Sequence, residues 1–207
     1  MSRGRFITLE GGEGVGKSTQ VNALAEALRQ RGLDVLVTRE PGGSEGAERI
    51  RELLLAGADE RWGARAEVLL FAAARADHVD KTIRPALEGG RWVLCDRFTD
   101  SSLAYQGGAG GLGIETVRAV NALAVGDVFP DRTLVLTLDE GADRARSRDG
   151  GESDRIGGRP NDYHRKVEAA FRIIAAEEPE RVRLIDASGS TEQVTDRLLD
   201  AIRDLLP

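Results

Sequence analysis

Residues 11–18 read Gly11-Gly12-Glu13-Gly14-Val15-Gly16-Lys17-Ser18 and match the pattern G-x-x-x-x-G-K-[ST]. A strand-like apolar run precedes this loop at residues 5–10 (RFITLE), and an amphipathic helical pattern follows it at residues 18–31. Glycines allow successive backbone N–H groups to point at phosphate oxygens, and the helix N-terminus adds positive potential. The Lys17 ammonium can reach the β- and γ-phosphates of a nucleotide, and the Ser18 hydroxyl can bind Mg²⁺. The strand–loop–helix context favours a phosphate-binding loop over a glycine-rich turn with a chance Lys-Ser pair.

Outward from this loop, short apolar runs alternate with longer helical patterns. The expected strands are residues 5–10, 34–39, 91–96, 132–139 and 181–186. The expected helices are residues 18–31, 44–56, 64–87, 114–125, 140–148, 162–178 and 191–206. This alternation predicts an α/β fold with a five-stranded, mostly parallel sheet and helices on both faces. Ligands bind beyond the carboxyl ends of such strands, so Glu10, Arg39, Asp96 and Asp139 are expected at the functional edge.

Composition limits the classes of protein that fit. The chain of 207 residues is 41% hydrophobic and 31% charged, which is typical of one globular domain, residues 1–207. Its 29 basic and 35 acidic side chains give a net charge of −6, which argues against binding to a nucleic-acid polymer. The single cysteine, Cys95, and the absence of a signal-type or membrane-length apolar run favour a cytoplasmic protein.

A second candidate site follows the predicted strand at residues 91–96. Asp96 ends this strand at the functional edge, where its carboxylate can hold a metal ion directly or through water. Arg97 comes next, and its planar guanidinium suits a phosphate. Cys95 is expected to be a small core residue. The sequence has no N-K-x-D motif, which argues against a GTPase switch.

Phe71 and Arg75 lie four residues apart on the predicted helix 64–87, so they share a face, which His78 continues. A ring beside a guanidinium can stack on a base and donate hydrogen bonds to its edge. Spacing alone instead favours a core phenylalanine and a surface arginine.

Arginines surround the polar, glycine-rich segment at residues 149–158, which is expected to be a mobile lid covering about residues 140–160. Arg144, Arg146 and Arg148 precede it, and Arg155 lies within it. The variable positions of the phosphate loop contain no arginine. A cation over a transferred phosphoryl group is therefore expected from this lid.

Taken together, these motifs make the sequence resemble the thymidylate kinase family, of the bacterial kind, along nearly the whole chain. Besides the phosphate loop and the arginine-rich lid, the resemblance rests on Thr38-Arg39-Glu40-Pro41-Gly42-Gly43, Phe71-Ala72-Ala73-Ala74-Arg75, Asp96-Arg97-Phe98, Ser101 and Ala104-Tyr105-Gln106-Gly107. It implies a P-loop NTPase fold and transfer of the γ-phosphoryl group of ATP to dTMP, giving dTDP, with Mg²⁺. It also implies a homodimer.

The resemblance further implies roles for individual residues. The catalytic group is Lys17, Arg97, Arg148 and Arg155. ATP is expected at Gly11, Gly12, Glu13, Gly14, Val15, Gly16, Lys17, Ser18 and Thr19, and the metal at Ser18 and Asp96. The residues expected at dTMP are Glu40, Arg51, Phe71, Arg75, Arg97, Ser102, Tyr105 and Gln106. The lid reads Asp154-Arg155-Ile156-Gly157, where the family often has Asp-Arg-Ile-Glu, and this leaves open whether Arg148 or Arg155 acts.

Two other functions stay open from the sequence. One is a related kinase that phosphorylates another nucleotide or a deoxynucleoside. The other is a non-catalytic protein that binds ATP at the phosphate loop as a regulator. Release of ADP with a panel of acceptors distinguishes them from a dTMP kinase.

Overall fold

The computed structural model describes residues 3–57, 61–138 and 156–207. In this part of the chain, five strands form one parallel sheet in the order β2-β3-β1-β4-β5. The strands are β1 Phe6–Gly11, β2 Val35–Arg39, β3 Trp92–Asp96, β4 Arg132–Thr137 and β5 Val182–Asp186. The predicted five-stranded parallel sheet is therefore confirmed.

Helices connect the strands and cover both faces of the sheet. The described α-helices are α1 Lys17–Arg29, α2 Glu45–Leu55, α3 Ala64–His78, α4 Arg84–Glu88, α5 Thr99–Ser102, α6 Ile114–Val125, α7 Asn161–Glu177 and α8 Thr191–Ala201. A short 3₁₀ turn, Arg203–Leu205, follows α8. The helix predicted at residues 140–148 lies outside the described residues, as do Asp139 and most of the segment predicted as a lid.

The helix predicted at residues 64–87 is helical along its length, but its turns are not uniform. A π-helical segment, Val79–Ile83, joins α3 to α4. Pro85 stands in the first turn of α4. A proline removes one helical N–H donor and crowds the carbonyl four residues earlier, which accounts for the wider turn before it. A second π-helical segment, Leu103–Ala109, follows α5, and the sequence analysis predicted neither of these two elements.

The side chains of β1 alternate between two apolar clusters. Ile7 and Leu9 pack on the face covered by α1 and α8. Phe6 points to the opposite face, where its ring contacts Phe98 edge-on at 4.9 Å between centroids. Cys95 is fully buried in this second cluster, as expected from the sequence. Apolar residues on both faces are typical of a parallel sheet between two helical layers.

The register of the strands brings their carboxyl ends to one edge of the sheet. Leu9 of β1 is aligned with Asp96 of β3, and Asp96 is also aligned with Arg39 of β2. The loop of residues 11–16 leaves β1 at this same edge and leads into α1. In the described part of the chain, no helix is both long enough and apolar enough to span a bilayer.

Candidate active site

The phosphate loop bends sharply between β1 and α1, and its glycines make this bend possible. Gly11 and Gly16 have φ angles of 134° and 91°, which favour glycine. A Cβ atom on Gly11 would lie 2.5 Å from the carbonyl oxygen of Leu136, so a larger residue cannot stand there. Gly16 directly precedes α1, whose first turn carries Lys17 and Ser18. The loop therefore presents the N-terminus of α1 to the edge of the sheet.

Lys17 lies under this loop with 7% of its surface exposed. Its Nζ donates to the carbonyl oxygen of Gly12 at 2.5 Å. Burial, and then the positive charge of Arg97, lower the pKa of Lys17 to about 8, against the opposing effect of Glu13, Asp96 and Glu10. An anion bound beside this ammonium would favour its charged form.

Ser18 and Asp96 meet where α1 begins and β3 ends. The Ser18 hydroxyl donates to Oδ2 of Asp96 at 2.7 Å. Mg²⁺ binds oxygen ligands and commonly takes only one or two protein groups together with substrate phosphates. Within the described residues, no group of three or more His, Cys, Asp or Glu side chains is arranged to hold a metal alone. This pair therefore fits a Mg²⁺ ion that a nucleotide helps to hold.

Arg97 follows β3 in the left-handed region, with φ of 69°, an unusual conformation for a residue other than glycine. Its Nη1 donates to the carbonyl of Gly11 at 3.0 Å and to Ser101 Oγ at 3.2 Å. Its Nη2 donates to Oε1 of Glu13 at 2.6 Å, and its guanidinium lies 5.1 Å from the ring centroid of Tyr105. These contacts hold the guanidinium beside the phosphate loop.

Glu10 is at the expected edge of the sheet, but it is fully buried. Its carboxyl group accepts hydrogen bonds from the Phe98 backbone N–H at 2.8 Å and from the Ser101 hydroxyl. Burial, and then the nearby charge of Asp100, raise the pKa of Glu10 to about 7. Because Ser101 also accepts from Arg97, Glu10 supports the segment that positions Arg97.

A cavity of about 440 Å³ opens next to the phosphate loop. Its walls include all the residues that the sequence analysis assigned to dTMP, namely Glu40, Arg51, Phe71, Arg75, Arg97, Ser102, Tyr105 and Gln106. Its phosphate-loop end includes Glu13, Gly14, Gly16, Lys17, Ser18 and Thr19, with Asp96 beside them. Gly11, Gly12 and Val15 do not line this cavity. Arg148 and Arg155 lie outside the described residues.

Arg75 is almost completely buried, with 2% of its surface exposed. Its Nε donates to Oε2 of Glu40 at 2.7 Å, and its Nη2 donates to the carbonyl of Phe98 at 3.0 Å. Its Nη1 donates to Asn121 Oδ1 at 2.7 Å and to Ser102 Oγ at 3.1 Å. Most of its donors therefore hold the cavity wall together.

The expectation from spacing alone, a core Phe71 with a surface Arg75, is wrong. Phe71 is only partly buried and lines the cavity, whereas Arg75 is buried because Glu40 supplies its counter-charge. His78 continues the same face and is also buried. Its ring nitrogens contact Oε1 of Glu40 at 3.1 Å and Oγ1 of Thr38 at 2.7 Å. Helix spacing shows which residues share a face, but not whether a charge on that face has a buried partner.

Glu67, which contacts the cavity residue Gln106, was not predicted from the sequence. It lies one helical turn before Phe71 and two turns before Arg75, so the same spacing could have placed it on their face of the helix, although not shown its partners. Its carboxylate accepts hydrogen bonds from Gln106 Nε2 at 3.0 Å and from Arg159 Nη2 at 2.8 Å. The ion pair with Arg159 connects the cavity wall to the segment that precedes α7.

A second cavity, of about 210 Å³, lies on the other side of the phosphate loop. It is bounded by Gly14, Val15 and Thr19, by Ala187 and Gly189 from the connection between β5 and α8, and by Thr191 at the start of α8. These last three residues were not among the site residues predicted from the sequence. They follow a predicted strand at the functional edge, and this position was a usable signal.

Comparisons with known proteins agree with this geometry. The family model described as thymidylate kinase matches residues 9–198. The thymidylate kinase of Rhizorhabdus wittichii strain RW1 is 62% identical over 99% of this chain and 99% of its own length. That of Rhodopseudomonas palustris strain TIE-1 is 53% identical over 97% of this chain and 89% of its own length.

A solved structure supports the same assignment. The crystal structure of thymidylate kinase from Ehrlichia chaffeensis superposes with a TM-score of 0.78 at 31% sequence identity, covering 99% of this chain and 100% of that chain. Agreement in sequence and fold thus extends across both the phosphate loop and the large cavity. The chain belongs to the thymidylate kinase family.

Proposed function

We propose that this protein transfers the γ-phosphoryl group of ATP to dTMP, giving dTDP and ADP. The observation that carries this proposal is the large cavity, which joins a complete phosphate loop to a pocket lined by Phe71, Tyr105 and Gln106. A regulator that only binds ATP has no need for a second, aromatic-walled pocket open to the same phosphate loop. The non-catalytic regulator is therefore not favoured, and the match to thymidylate kinases over nearly the whole chain disfavours a kinase that acts on another nucleotide.

ATP would lie across the phosphate loop. Its triphosphate would meet the N-terminus of α1 and the ammonium of Lys17, and the smaller cavity beside Ala187 and Gly189 has room for the adenosine end. When bound, Mg²⁺ would neutralise part of the phosphate charge. Ser18 and Asp96 are the residues that would hold it.

dTMP would occupy the other end of the large cavity. Phe71 offers a ring face for the base, and Gln106 offers an amide for its edge. Arg51, which donates to the carbonyl of Pro41 at 2.6 Å, and Arg97 approach the same cavity and suit the 5′-phosphate. Tyr105 lines the same cavity, and the sugar of dTMP would lie beside it, between the base and the 5′-phosphate.

Phosphoryl transfer depends mainly on positioning and on stabilising the charge of the transferred group. In this protein Lys17 and Arg97 would supply positive charge from the phosphate loop and from the end of β3. We propose that the lid, residues 140–160, supplies a further arginine, Arg148 or Arg155. This part of the proposal rests on the sequence, since both arginines lie outside the described residues.

We also propose that the protein forms a homodimer in the cytoplasm. Leu123 on α6 has 90% of its surface exposed and Leu69 on α3 has 58%, and these two helices pack side by side. Exposed leucines on neighbouring helices are typical of a face that pairs with another copy. The buried free thiol of Cys95 agrees with a reducing compartment.

A coupled assay of ADP release tests the proposed reaction. Purified protein, ATP and Mg²⁺ are mixed in turn with dTMP, dUMP, dCMP and thymidine. ADP release is expected to be fastest with dTMP, slower with dUMP, and far slower with dCMP and thymidine. Equal rates with all acceptors would contradict the assignment of the base pocket, and no release with any acceptor would contradict kinase activity altogether.

A further inference from the structure

The amide of Gln106 is held in one orientation by its neighbours. Gln106 belongs to the π-helical segment Leu103–Ala109 and has 4% of its surface exposed. Its Nε2 donates to Oε1 of Glu67 at 3.0 Å, while the other carboxylate oxygen of Glu67 accepts from Arg159 at 2.8 Å. An ionised carboxylate can only accept hydrogen bonds. Gln106 must therefore turn its NH₂ group towards Glu67 and its carbonyl oxygen away from it.

The carbonyl oxygen of Gln106 is then available to a ligand. Gln106 lines the large cavity, and no donor in the described part of the chain bonds to its Oε1. An acceptor aimed into a base pocket needs a donor on the base. The pairing edge of thymine or uracil offers one donor, N3–H, between two carbonyl oxygens. In cytosine N3 is itself an acceptor and would face the amide oxygen unpaired.

Further contacts keep Glu67 and Arg159 in place. Glu67 is 4% exposed in its side chain, and Arg159 is 13% exposed. Arg159 also donates to the hydroxyl of Tyr163 at 2.6 Å, and its guanidinium lies 4.7 Å from the centroid of that ring. The Tyr163 hydroxyl in turn donates to the carbonyl of Tyr105 at 2.8 Å, on the same segment as Gln106. The Glu67 carboxylate is thus paired with a cation and fixed relative to Gln106.

We propose that Glu67 is a positioning residue for base selection. By accepting from Nε2 of Gln106 it holds the amide oxygen of Gln106 towards the base, so that the site accepts pyrimidine nucleotides that carry a proton on N3 and disfavours cytosine. This inference rests on the proposed function, because it assigns the base pocket to dTMP. Glu67 acts only through Gln106 and touches no reacting atom.

The substitution Glu67→Gln tests the proposal without changing the shape of the side chain. The new amide can accept from Arg159 and donate to Gln106, which would turn the Gln106 amide round and direct its NH₂ group at the base. The ratio of kcat/KM for dTMP to that for dCMP is expected to fall at least about tenfold, because hydrogen-bonding sites discriminate by leaving polar groups unpaired. KM for ATP is expected to stay unchanged.

A second substitution shows whether Glu67 acts through Gln106. Gln106→Leu alone is expected to lower the same ratio, and adding Glu67→Gln to it is expected to change the ratio no further. Asp77→Asn is the matched control: Asp77 lies on the same helix but bonds to Ser44 Oγ, at 2.6 Å. This control is expected to keep the wild-type ratio.

A measurement on the wild-type protein covers the case in which Glu67→Gln does not fold. With dTMP labelled with ¹⁵N at N3, the bound imino proton is expected to be protected from exchange with water, because Gln106 accepts it. An imino proton in fast exchange would overturn the proposal, as would an unchanged substrate ratio in folded Glu67→Gln. If the wild-type protein phosphorylates dTMP but either result is found, the role of Glu67 fails alone. If it releases no ADP with dTMP, the proposed function itself fails.

Discussion

Lys17 is buried, and the pKa of its ammonium group depends on the charged side chains around it. Burial and Arg97 work against the ammonium form, whereas Glu13 and Asp96 favour it. Its ammonium donates a hydrogen bond to the carbonyl of Gly12. The negative charge of a nucleotide would complete this environment, and charge that develops during transfer would be stabilised most.

Replacement of Lys17 by alanine is therefore expected to remove most of the activity while the fold is kept. Loss of one buried, pre-positioned donor to a developing charge typically lowers kcat by about 10²–10³-fold. ADP release with saturating dTMP measures this change, and circular dichroism checks the fold. The control is Lys166→Ala, an exposed lysine on α7. Wild-type turnover in Lys17→Ala would contradict the role of the phosphate loop in catalysis.

Glu10 is expected to make the stability of the protein depend on pH. Its pKa rises from 4.5 to about 7 on folding, so between these pH values the unfolded chain releases a proton that the folded chain keeps. The contribution of Glu10 to the free energy of unfolding is therefore fully favourable below about pH 4.5 and is lost as the pH rises towards 7. The total loss is on the order of 3 kcal/mol. Urea unfolding of Glu10→Gln is expected to depend less on pH across this window. Parallel curves for the two proteins would contradict the shift.

The second π-helical segment explains how neighbouring residues can serve one cavity. Tyr105 and Gln106 are consecutive, and both line the cavity together with Ser102 at the end of α5. Regular helical periodicity separates consecutive side chains, and π turns occur frequently at functional sites. No apolar pattern in this glycine-containing stretch marks such an element. The resemblance to a family assigned these residues to dTMP, and the structure places them in the wall of the cavity. The helical pattern missed the element that carries them.

The lid remains a prediction from the sequence, and it can be tested directly. Arg148→Ala and Arg155→Ala are expected to lower kcat more than they raise KM, because a cation that contacts the transferred group acts mainly in the transition state. An arginine with this role contributes about 10³–10⁵-fold to kcat. Arg165→Ala, an exposed arginine on α7, serves as the control. If both lid variants keep the wild-type kcat, the lid supplies no catalytic cation.

The overall architecture followed from the sequence because it depends on simple periodic patterns. The strands are short apolar runs that end in polar residues, and parallel order brings Arg39 and Asp96 to one edge. Buried polar contacts were harder to predict, because they join distant segments. Glu67 meets Arg159 across 92 positions, and Glu40 meets Arg75 across 35. No local pattern encodes such pairs, so the burial of Arg75 and the role of Glu67 needed the structure.

Association of two copies is expected to depend on the face formed by α3 and α6. Leu123→Glu places a charge at the most exposed of the large apolar side chains in the described residues, and it is expected to give monomers. Light scattering after size-exclusion chromatography measures the mass. Ile173→Glu on α7, where the side chain is 50% exposed, is the control and is expected to leave the mass unchanged. A wild-type protein of monomer mass would contradict the proposed homodimer.

The ion pair between Arg97 and Glu13 has a consequence for turnover. Arg97 pairs with the carboxylate of Glu13 at 2.6 Å, and Tyr105 donates to the same oxygen at 3.2 Å. For the role proposed for Arg97, capture of a phosphate is then an exchange, in which one anion leaves the guanidinium as another arrives. The affinity gained would equal the difference between two ion pairs, and Glu13 would pair with Arg97 again once the product has left. A cation that always has an anionic partner would bind its substrate less tightly, and it would also release its product faster.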